Sequence, residues 1–402
     1  MSTKSNLPLA ARPGQVSAQG EVNGALRVLH VITDLQTGGA EMMLLKLAAA
    51  GADHLRQVVV SAGEKGTIGP RIAEIGVPVH ALGLQRPFPN PLRFFPLISL
   101  MRRFRPQVIV GWMYHGNVAA SLAARASGVK APVFWNIQQS LYDIRSERWL
   151  TARLIHLGVS LSRRTAAIIY NSQTSALQHE ALGYRADKRI IIPTGFDCGQ
   201  FRPNDEARGR IRAELGIKDE TVVIGLIARY HPMKDHVGFF KAAGLVAKKN
   251  PAVRFVVAGR GITTDEPTLR RAIEENQIKD RTLLLGERAD MPELTASFDI
   301  ACSASAWGEG SSNAIGEAMA CGVPCVVTDV GDSALLVGDT GLSVPPRNPQ
   351  AFANALKQLV EAGPAYRRLH GQAARRRIET EFNLSSIAQR YEDLYRQHLT
   401  QA

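Results

Sequence analysis

Short runs of aliphatic and β-branched residues alternate with helical patterns along the whole chain, and this alternation constrains the fold more than any other feature. In the first half, the runs lie at 27–32, 57–62, 77–82, 107–112, 132–137, 166–171 and 189–194. In the second half, they lie at 221–228, 253–259, 282–286, 299–305, 324–329 and 341–346. Nearly continuous apolar runs are typical of parallel strands that are buried on both faces. The sequence therefore predicts an α/β fold with two doubly wound, Rossmann-like domains that face each other across a cleft.

The domain boundaries follow from this pattern and from the chain length, because 402 residues exceed what one ordinary core holds. A turn-rich segment at 195–205 separates the two sets of strands. We predict four parts: a disordered leader at 1–25, an N-terminal domain at 26–200, a C-terminal domain at 201–380, and a helical C-terminal segment at 381–402. The last segment is free to pack on either domain, including back on the N-terminal one.

The positive charge is concentrated in the first half of the chain. Residues 1–198 contain 22 Lys and Arg against 11 Asp and Glu, whereas residues 199–402 contain 26 against 25. The charge gathers in two amphipathic stretches, 92–105 and 145–164. Two interpretations remain open: solvated helix faces with snorkelling arginines, or a surface that meets an anionic membrane or a phosphorylated acceptor. Nucleic acid is disfavoured, since no aromatic RNA-binding motif accompanies the charge.

Several functional classes are disfavoured by what the sequence lacks. It has no apolar stretch of 18 residues and no secretory h-region within residues 1–25, so we expect a cytoplasmic protein without a membrane span. The four cysteines, at 198, 302, 321 and 325, form no CxxC pair and have no histidines at metal spacing. Neither domain starts with the GxGxxG fingerprint of a dehydrogenase.

Polar motifs follow the predicted strands, where ligands of open α/β sheets bind. Gly38 and Gly39 open a helix whose N–H groups attract anions, although a simple tight turn would also use them. His115 follows a buried strand, and its alternative role is structural. Arg229 and Lys234 flank a proline-containing loop and would suit a diphosphate, unless they are only surface cations.

The stretch WGEGSSNAIGEAMACGVPCVV, residues 307–327, carries two carboxylates around a helix start. We expect Ser311 or Ser312 to cap a helix that begins at Asn313. Glu317 lies one turn inside a helix of Ala, Ile, Gly and Met, where a carboxylate needs partners such as ribose hydroxyls. Glu309 precedes the helix and would reach the next part of the same ligand, or merely cap the helix.

Together these motifs resemble those of the retaining glycosyltransferases of family 4, also called group 1, which have the GT-B fold. The resemblance runs from about residue 27 to 395 and keeps the family's motif order. The matching residues are Gly38-Gly39-Ala40-Glu41, His115, IIPTGFDCGQFRP (191–203), Arg229 with Lys234, and the pair Glu309 and Glu317 followed by AMACGVPCVVTDVG. Two positions depart from the usual pattern: Ser311 replaces an aromatic residue, and Thr194 replaces an asparagine.

The resemblance implies a role for each matching residue. Arg229 and Lys234 would bind the diphosphate of a nucleotide sugar, Glu317 the ribose, and Glu309 the transferred sugar. His115 would contact the sugar or acceptor, and the loop at Gly38 and Gly39 would close over the diphosphate. The donor site would also include the segment Gly310, Ser311, Ser312, Asn313 and Ala314, whose N–H groups support the phosphates. Family members need no metal or other cofactor.

The expected function is therefore transfer of a hexose or N-acetylhexosamine from a nucleotide sugar, with UDP-sugars favoured and GDP-mannose next. The expected acceptor is a lipid-linked saccharide of bacterial exopolysaccharide, capsule or lipopolysaccharide synthesis. This implies a peripheral enzyme at the cytoplasmic face of the inner membrane, held there by the basic N-terminal domain. The alternatives are a GT-B epimerase and a non-catalytic nucleotide-sugar-binding protein.

Overall fold

The computed structural model describes residues 24–84, 94–141 and 143–400. The predicted leader at 1–25 therefore lies outside the described residues, apart from its last two positions. Every predicted strand forms, with ends that differ by up to three residues. The strands are β1 Leu26–Ile32, β2 Leu55–Ser61, β3 Val79–Ala81, β4 Val108–Trp112, β5 Val133–Ile137, β6 Ala167–Tyr170, β7 Arg189–Ile191, β8 Val222–Ile227, β9 Val253–Ala258, β10 Thr282–Leu284, β11 Ile300–Ser303, β12 Cys325–Thr328 and β13 Leu342–Val344.

At least one helix lies between each pair of successive strands. They are α1 Gly39–Ala50, α2 Ile68–Glu74, α3 Phe95–Phe104, α4 Met113–Ser127, α5 Trp149–Leu161, α6 Gln173–Ala181, α7 Asp205–Glu214, α8 His236–Ala247, α9 Pro267–Glu275, α10 Met291–Ala296, α11 Asn313–Ala320, α12 Ser333–Val337, α13 Pro349–Glu361, α14 Gly363–Glu381 and α15 Leu384–Thr400. Short 3₁₀ turns extend several of the connections.

The strands form two parallel sheets, one in each domain. The first sheet has the order β3-β2-β1-β4-β5-β6-β7, and the second has the order β10-β9-β8-β11-β12-β13. Each order reverses once, between β1 and β4 in the first sheet and between β8 and β11 in the second. Such reversals leave a crevice at the carboxyl ends of the two strands, because the helices that follow them lie on opposite faces.

Central strand β1 shows why apolar runs mark these elements. Val28 and Ile32 pack into the hydrophobic cluster on one face of the sheet, while Leu29 and Val31 pack into the cluster on the other. All four side chains are buried. When a strand is covered on both faces, the side chains on both faces are buried. Its sequence is therefore a continuous run of apolar residues rather than an alternation of polar and apolar ones.

The last helix, α15, returns to the first domain. Its residues Ile387, Tyr391 and Leu394 belong to the first domain's core, and the Tyr391 hydroxyl accepts a 3.1 Å hydrogen bond from Asn136 Nδ2. Phe196, on the outgoing crossover, exchanges backbone hydrogen bonds with Phe382 and Leu384 on the returning one. The two domains are thus joined by a paired double crossover.

None of the helices in the described ranges combines the length and hydropathy that crossing a bilayer requires. All four cysteines are unpaired, and three of them are buried.

Candidate active site

The four sequence motifs follow the four strands that flank the two reversals of strand order. Gly38 and Gly39 follow β1, and His115 follows β4. In the other domain Arg229 and Lys234 follow β8, and Glu309 follows β11. The fold therefore places all of them at the two crevices where doubly wound sheets bind ligands, one facing the other across the cleft.

The glycine pair forms the first domain's edge of the cleft. Gly38 is the N-cap of α1, and Gly39 is its first residue. A Cβ atom built on Gly39 would lie 3.2 Å from Asn313 Nδ2 at the start of α11 in the second domain. The two helix starts therefore meet closely, and a side chain at Gly39 would displace Asn313.

His115 lies within the first turn of α4 rather than in a loop before it. Burial lowers the pKa of its imidazole, although the negative charge of Asp34 partly opposes this. The ring is thus neutral at pH 7. It can donate one hydrogen bond and accept another, as contact with sugar hydroxyls requires.

Glu41 is a second ionisable group on this side of the cleft. It lies in the first turn of α1. Burial raises its pKa to about 7; a hydrogen bond from its own backbone N–H opposes the rise, and the charge of Asp34 adds to it. The sequence marks Glu41 only as part of a motif, since burial is what makes its carboxyl titrate near neutrality.

Lys234 and Glu309 form an ion pair at the centre of the second domain's crevice. Lys234 ends a 3₁₀ turn, Pro232–Lys234, and Glu309 is buried in the loop after β11. The Ser305 hydroxyl donates a 2.7 Å hydrogen bond to the same carboxylate. Burial alone would raise the pKa of Glu309, but Lys234, Ser305 and the charge of Arg229 hold it below its ordinary value. Glu309 is therefore ionised at neutral pH.

The two predicted diphosphate ligands differ in setting. Lys234 is half-buried and already shares its charge with Glu309, whereas Arg229 is exposed beside it. The cluster combines two cations with one carboxylate. It therefore keeps a net positive charge for an anionic ligand.

Helix α11 starts at Asn313, as expected, with Ser312 as its N-cap residue. The expected capping hydrogen bond is absent, because no side-chain oxygen of Ser312 accepts an N–H group there. Ser312 is buried, while Ser311, Asn313 and Ala314 are half-buried. The first-turn N–H groups are thus not used by that hydroxyl, and the partial positive charge of the helix start faces the cleft.

Glu317 has a protein partner that sequence reasoning missed. Lys46, on α1 of the first domain, reaches across the cleft to within 3.4 Å of the Glu317 carboxylate. Its ammonium also lies 3.5 Å from the Gly195 carbonyl oxygen and 5.5 Å from the centre of the Phe196 ring. Burial raises the pKa of Glu317, and Lys46 opposes that rise. The one sequence signal for this contact is a lysine in the apolar run MMLLKLAAA.

No group of three or more His, Cys, Asp or Glu side chains within residues 24–84, 94–141 and 143–400 is arranged to hold a metal ion.

Two family models match the chain, one in each domain. Residues 38–195 match the model of the glycosyl transferase 4-like domain, and residues 221–362 match that of glycosyl transferases group 1. The putative glycosyltransferase EpsF of Bacillus subtilis is 25% identical over 321 residues, which cover 75% of this chain and 79% of EpsF.

A second relative is the UDP-Gal:alpha-D-GlcNAc-diphosphoundecaprenol alpha-1,3-galactosyltransferase of Escherichia coli. It is 28% identical over 212 residues, or 52% of this chain. The match spans about half the length of that enzyme (54%).

Solved structures share the fold over nearly the whole chain. HepE of Anabaena in complex with UDP superimposes with a TM-score of 0.81 at 22% identity, covering 92% of this chain and 99% of HepE. Sucrose-phosphate synthase of Thermosynechococcus elongatus gives 0.75 at 18% identity, covering 94% of this chain and all of that one. The predicted fold of two Rossmann-like domains, GT-B, is confirmed. Because both domain models match, and together they cover most of the chain, the chain belongs to the group 1 glycosyltransferase family.

Proposed function

We propose that this chain is a retaining, metal-independent glycosyltransferase that moves a hexose or N-acetylhexosamine from a nucleoside-diphosphate sugar to a lipid-linked saccharide. The observation that carries the proposal is the ion pair of half-buried Lys234 and buried Glu309, set beside Arg229 and the start of α11. This cluster offers cations and helix N–H groups for a diphosphate, and an ionised carboxylate for sugar hydroxyls. UDP is the favoured carrier, since the name of the E. coli relative includes UDP-Gal and HepE was solved with UDP. GDP-mannose is the next candidate.

The chemistry follows from where charge develops. As the bond between C1 of the sugar and the phosphate oxygen breaks, negative charge builds on the leaving diphosphate. Arg229, Lys234 and the N–H groups at 312–314 stabilise that charge, each by about 3 kcal/mol if it acts like an oxyanion-hole donor. The acceptor oxygen bonds to C1 from the same face, and its proton passes to the departing phosphate oxygen. The configuration at C1 is thereby retained without a covalent enzyme intermediate.

A binding screen tests the donor class. We expect UDP-galactose, UDP-glucose or UDP-N-acetylglucosamine, or failing these GDP-mannose, to raise the unfolding midpoint. At 100 times its dissociation constant, a true donor adds about 2.7 kcal/mol to the free energy of unfolding. ADP-ribose serves as the control, because it has a diphosphate but no transferable sugar. Equal stabilisation by all of these compounds, or by none, would contradict a nucleotide-sugar site.

We also propose that the first domain contacts an anionic membrane through neighbouring helices α3, α4 and α5. The side chains of Trp149, Leu150 and Phe95 are 71%, 53% and 60% exposed, which is unusual for large apolar groups. The Arg153 guanidinium stacks 5.0 Å from the Trp149 ring centre. Exposed apolar groups beside arginines suit the interface of a bilayer with anionic headgroups. The enzyme would then work at the cytoplasmic face of the membrane that carries its acceptor.

Sedimentation with vesicles tests this contact. Binding to phosphatidylglycerol vesicles is expected to fall as NaCl rises, because screening weakens the arginine contribution. Trp149→Ser should weaken binding by about ten- to a hundredfold, since burying an aromatic side chain contributes roughly 1.5–3 kcal/mol. Leu369→Ser, which changes a 60% exposed leucine of the second domain, should have no effect. Equal binding to phosphatidylcholine, unaffected by salt, would remove the electrostatic argument.

A further inference from the structure

Asp332 provides another contact between the two domains, in addition to the ion pair of Lys46 and Glu317. It lies in the second domain, directly before α12. Its carboxylate accepts hydrogen bonds from the backbone N–H groups of Gln173, at 2.7 Å, and Thr174, at 3.1 Å. These are the first two residues of α6 in the first domain. A helix of one domain is thus capped by a carboxylate of the other.

The remaining cap of α6 is local. The Ser172 hydroxyl accepts the N–H of Ser175 at 3.0 Å. Ser172 therefore does not replace Asp332, and opening the cleft would leave the Gln173 and Thr174 N–H groups without this acceptor. The negative charge also lies at the positive end of the helix dipole, which strengthens the contact.

The backbone of Asp332 holds the loop that carries Glu309. Its N–H donates a 2.9 Å hydrogen bond to the Gly310 carbonyl. The preceding Gly331 has a φ of +61°, and a Cβ there would collide with the Glu309 carbonyl. That same carbonyl accepts a hydrogen bond from the Ser140 hydroxyl of the first domain. The Glu309 peptide is therefore held between the two domains.

Gly310, the residue after Glu309, also packs against the first domain. A Cβ atom on Gly310 would lie 2.6 Å from Asn171 Oδ1, two residues before the start of α6. The loop at 309–310 thus packs directly on the segment that leads into the helix capped by Asp332. Separating the domains would break the Asp332 cap, the Ser140 hydrogen bond and this packing together.

We infer that Asp332 is a positioning residue that couples closure of the cleft to the placement of Glu309. The inference rests on the proposed function, in which Glu309 contacts the transferred sugar. The Asp332 side chain binds the first domain, while its backbone N–H holds the Glu309 loop within the second domain. Lys234 and Ser305 bind the Glu309 carboxylate from within its own domain. Closure adds the Ser140 hydrogen bond and the Asn171 packing, which fix the peptide of Glu309 from the first domain.

Asp332→Asn tests the inference with little change in shape. An amide offers one acceptor oxygen and turns an NH₂ group toward the second N–H, so one of the two hydrogen bonds is lost. We expect kcat for UDP-galactose to fall about tenfold, with little change in KM. UDP affinity and the unfolding midpoint should stay near wild type, because the cations of the second domain are untouched. The conservative variant should retain more activity than Asp332→Ala. The matched control is Asp339→Asn, at an exposed aspartate in the next turn, and it should behave as wild type.

Small-angle scattering of the ligand-free chain separates this inference from the proposed function. We expect the radius of gyration of Asp332→Ala to exceed that of wild type, because the contact between Asp332 and the start of α6 is lost. An unchanged radius together with unchanged kcat would overturn the role of Asp332. A fall in kcat that only tracks lost stability would do the same. If the wild-type chain turned over no nucleotide sugar, the proposed function would fail. The scattering comparison would still show whether Asp332 holds the two domains together.

Discussion

Replacing Glu309 with glutamine is expected to lower the rate of sugar transfer by about 10²- to 10³-fold, the range found when one charge-stabilising group is removed from an active site. The carboxylate is buried, and it is ionised because Lys234, Ser305 and Arg229 surround it. Glutamine keeps the shape and an oxygen for Ser305, but it cannot balance the charge of Lys234. Steady-state kinetics measure the loss, and the unfolding midpoint reports whether the fold survives.

Variants of Lys234 test the other half of the ion pair with Glu309. Lys234→Ala leaves the Glu309 carboxylate buried without its main partner, which costs about 3–5 kcal/mol when an ion pair is fully buried. Lys234→Met combined with Glu309→Gln should recover much of that stability, because it removes both charges, yet it should remain inactive. Glu287→Gln, at an exposed glutamate of the same domain, is the neutral control. Near-normal transfer by both Glu309→Gln and the double variant would contradict the assigned site.

Replacing Lys46 with methionine is expected to lower the free energy of unfolding by about 3 kcal/mol, because the largely buried Glu317 carboxylate loses the cation that pairs with it. Affinity for UDP should fall as well if Glu317 binds the ribose as proposed, since without Lys46 the carboxyl takes up a proton more readily. Adding Glu317→Gln should restore stability but not UDP binding. Chemical denaturation and calorimetric titration with UDP measure the two effects separately.

The pH dependence of Lys46→Met follows from the pKa of Glu317, which burial raises and Lys46 opposes. Without Lys46 that pKa rises further above its value in the unfolded chain. A carboxyl with a higher pKa in the folded protein takes up a proton on folding, so lowering the pH stabilises the fold. The deficit of the variant relative to wild type should therefore shrink as the pH falls below neutrality. A deficit that grows on acidification would show that Glu317 is not the group responsible.

The strands were predictable because burial on both faces leaves a continuous apolar run in each of them. The carboxyl ends of the strands were predictable as well, and so was the position of Gly39, His115, Arg229, Lys234 and Glu309 just after those ends. Local signals were sufficient here, since each motif directly follows its strand.

The contacts between the domains were not predictable in this way. Lys46 and Asp332 each bind a group from the other domain, and no spacing along the chain reveals how two domains are placed against each other. The capping hydroxyl at Ser312 was expected from residue type alone, but the structure leaves that helix start without it. The raised pKa of Glu41 was not predictable from the sequence either, because it depends on burial in the folded chain rather than on the neighbouring residues in sequence.

The most direct test of the central claim is proton NMR of the reaction product. The wild-type chain would be incubated with EDTA, a short-chain N-acetylglucosamine-diphosphate lipid and the UDP-sugar that raises its unfolding midpoint most, with Glu309→Gln in parallel. Wild type should give a glycoside with the α configuration of the donor, recognised for a gluco- or galacto-configured sugar by the small coupling of its anomeric proton, and the variant should give almost none. A β-linked product, a strict requirement for added metal, or equal product from Glu309→Gln would contradict it.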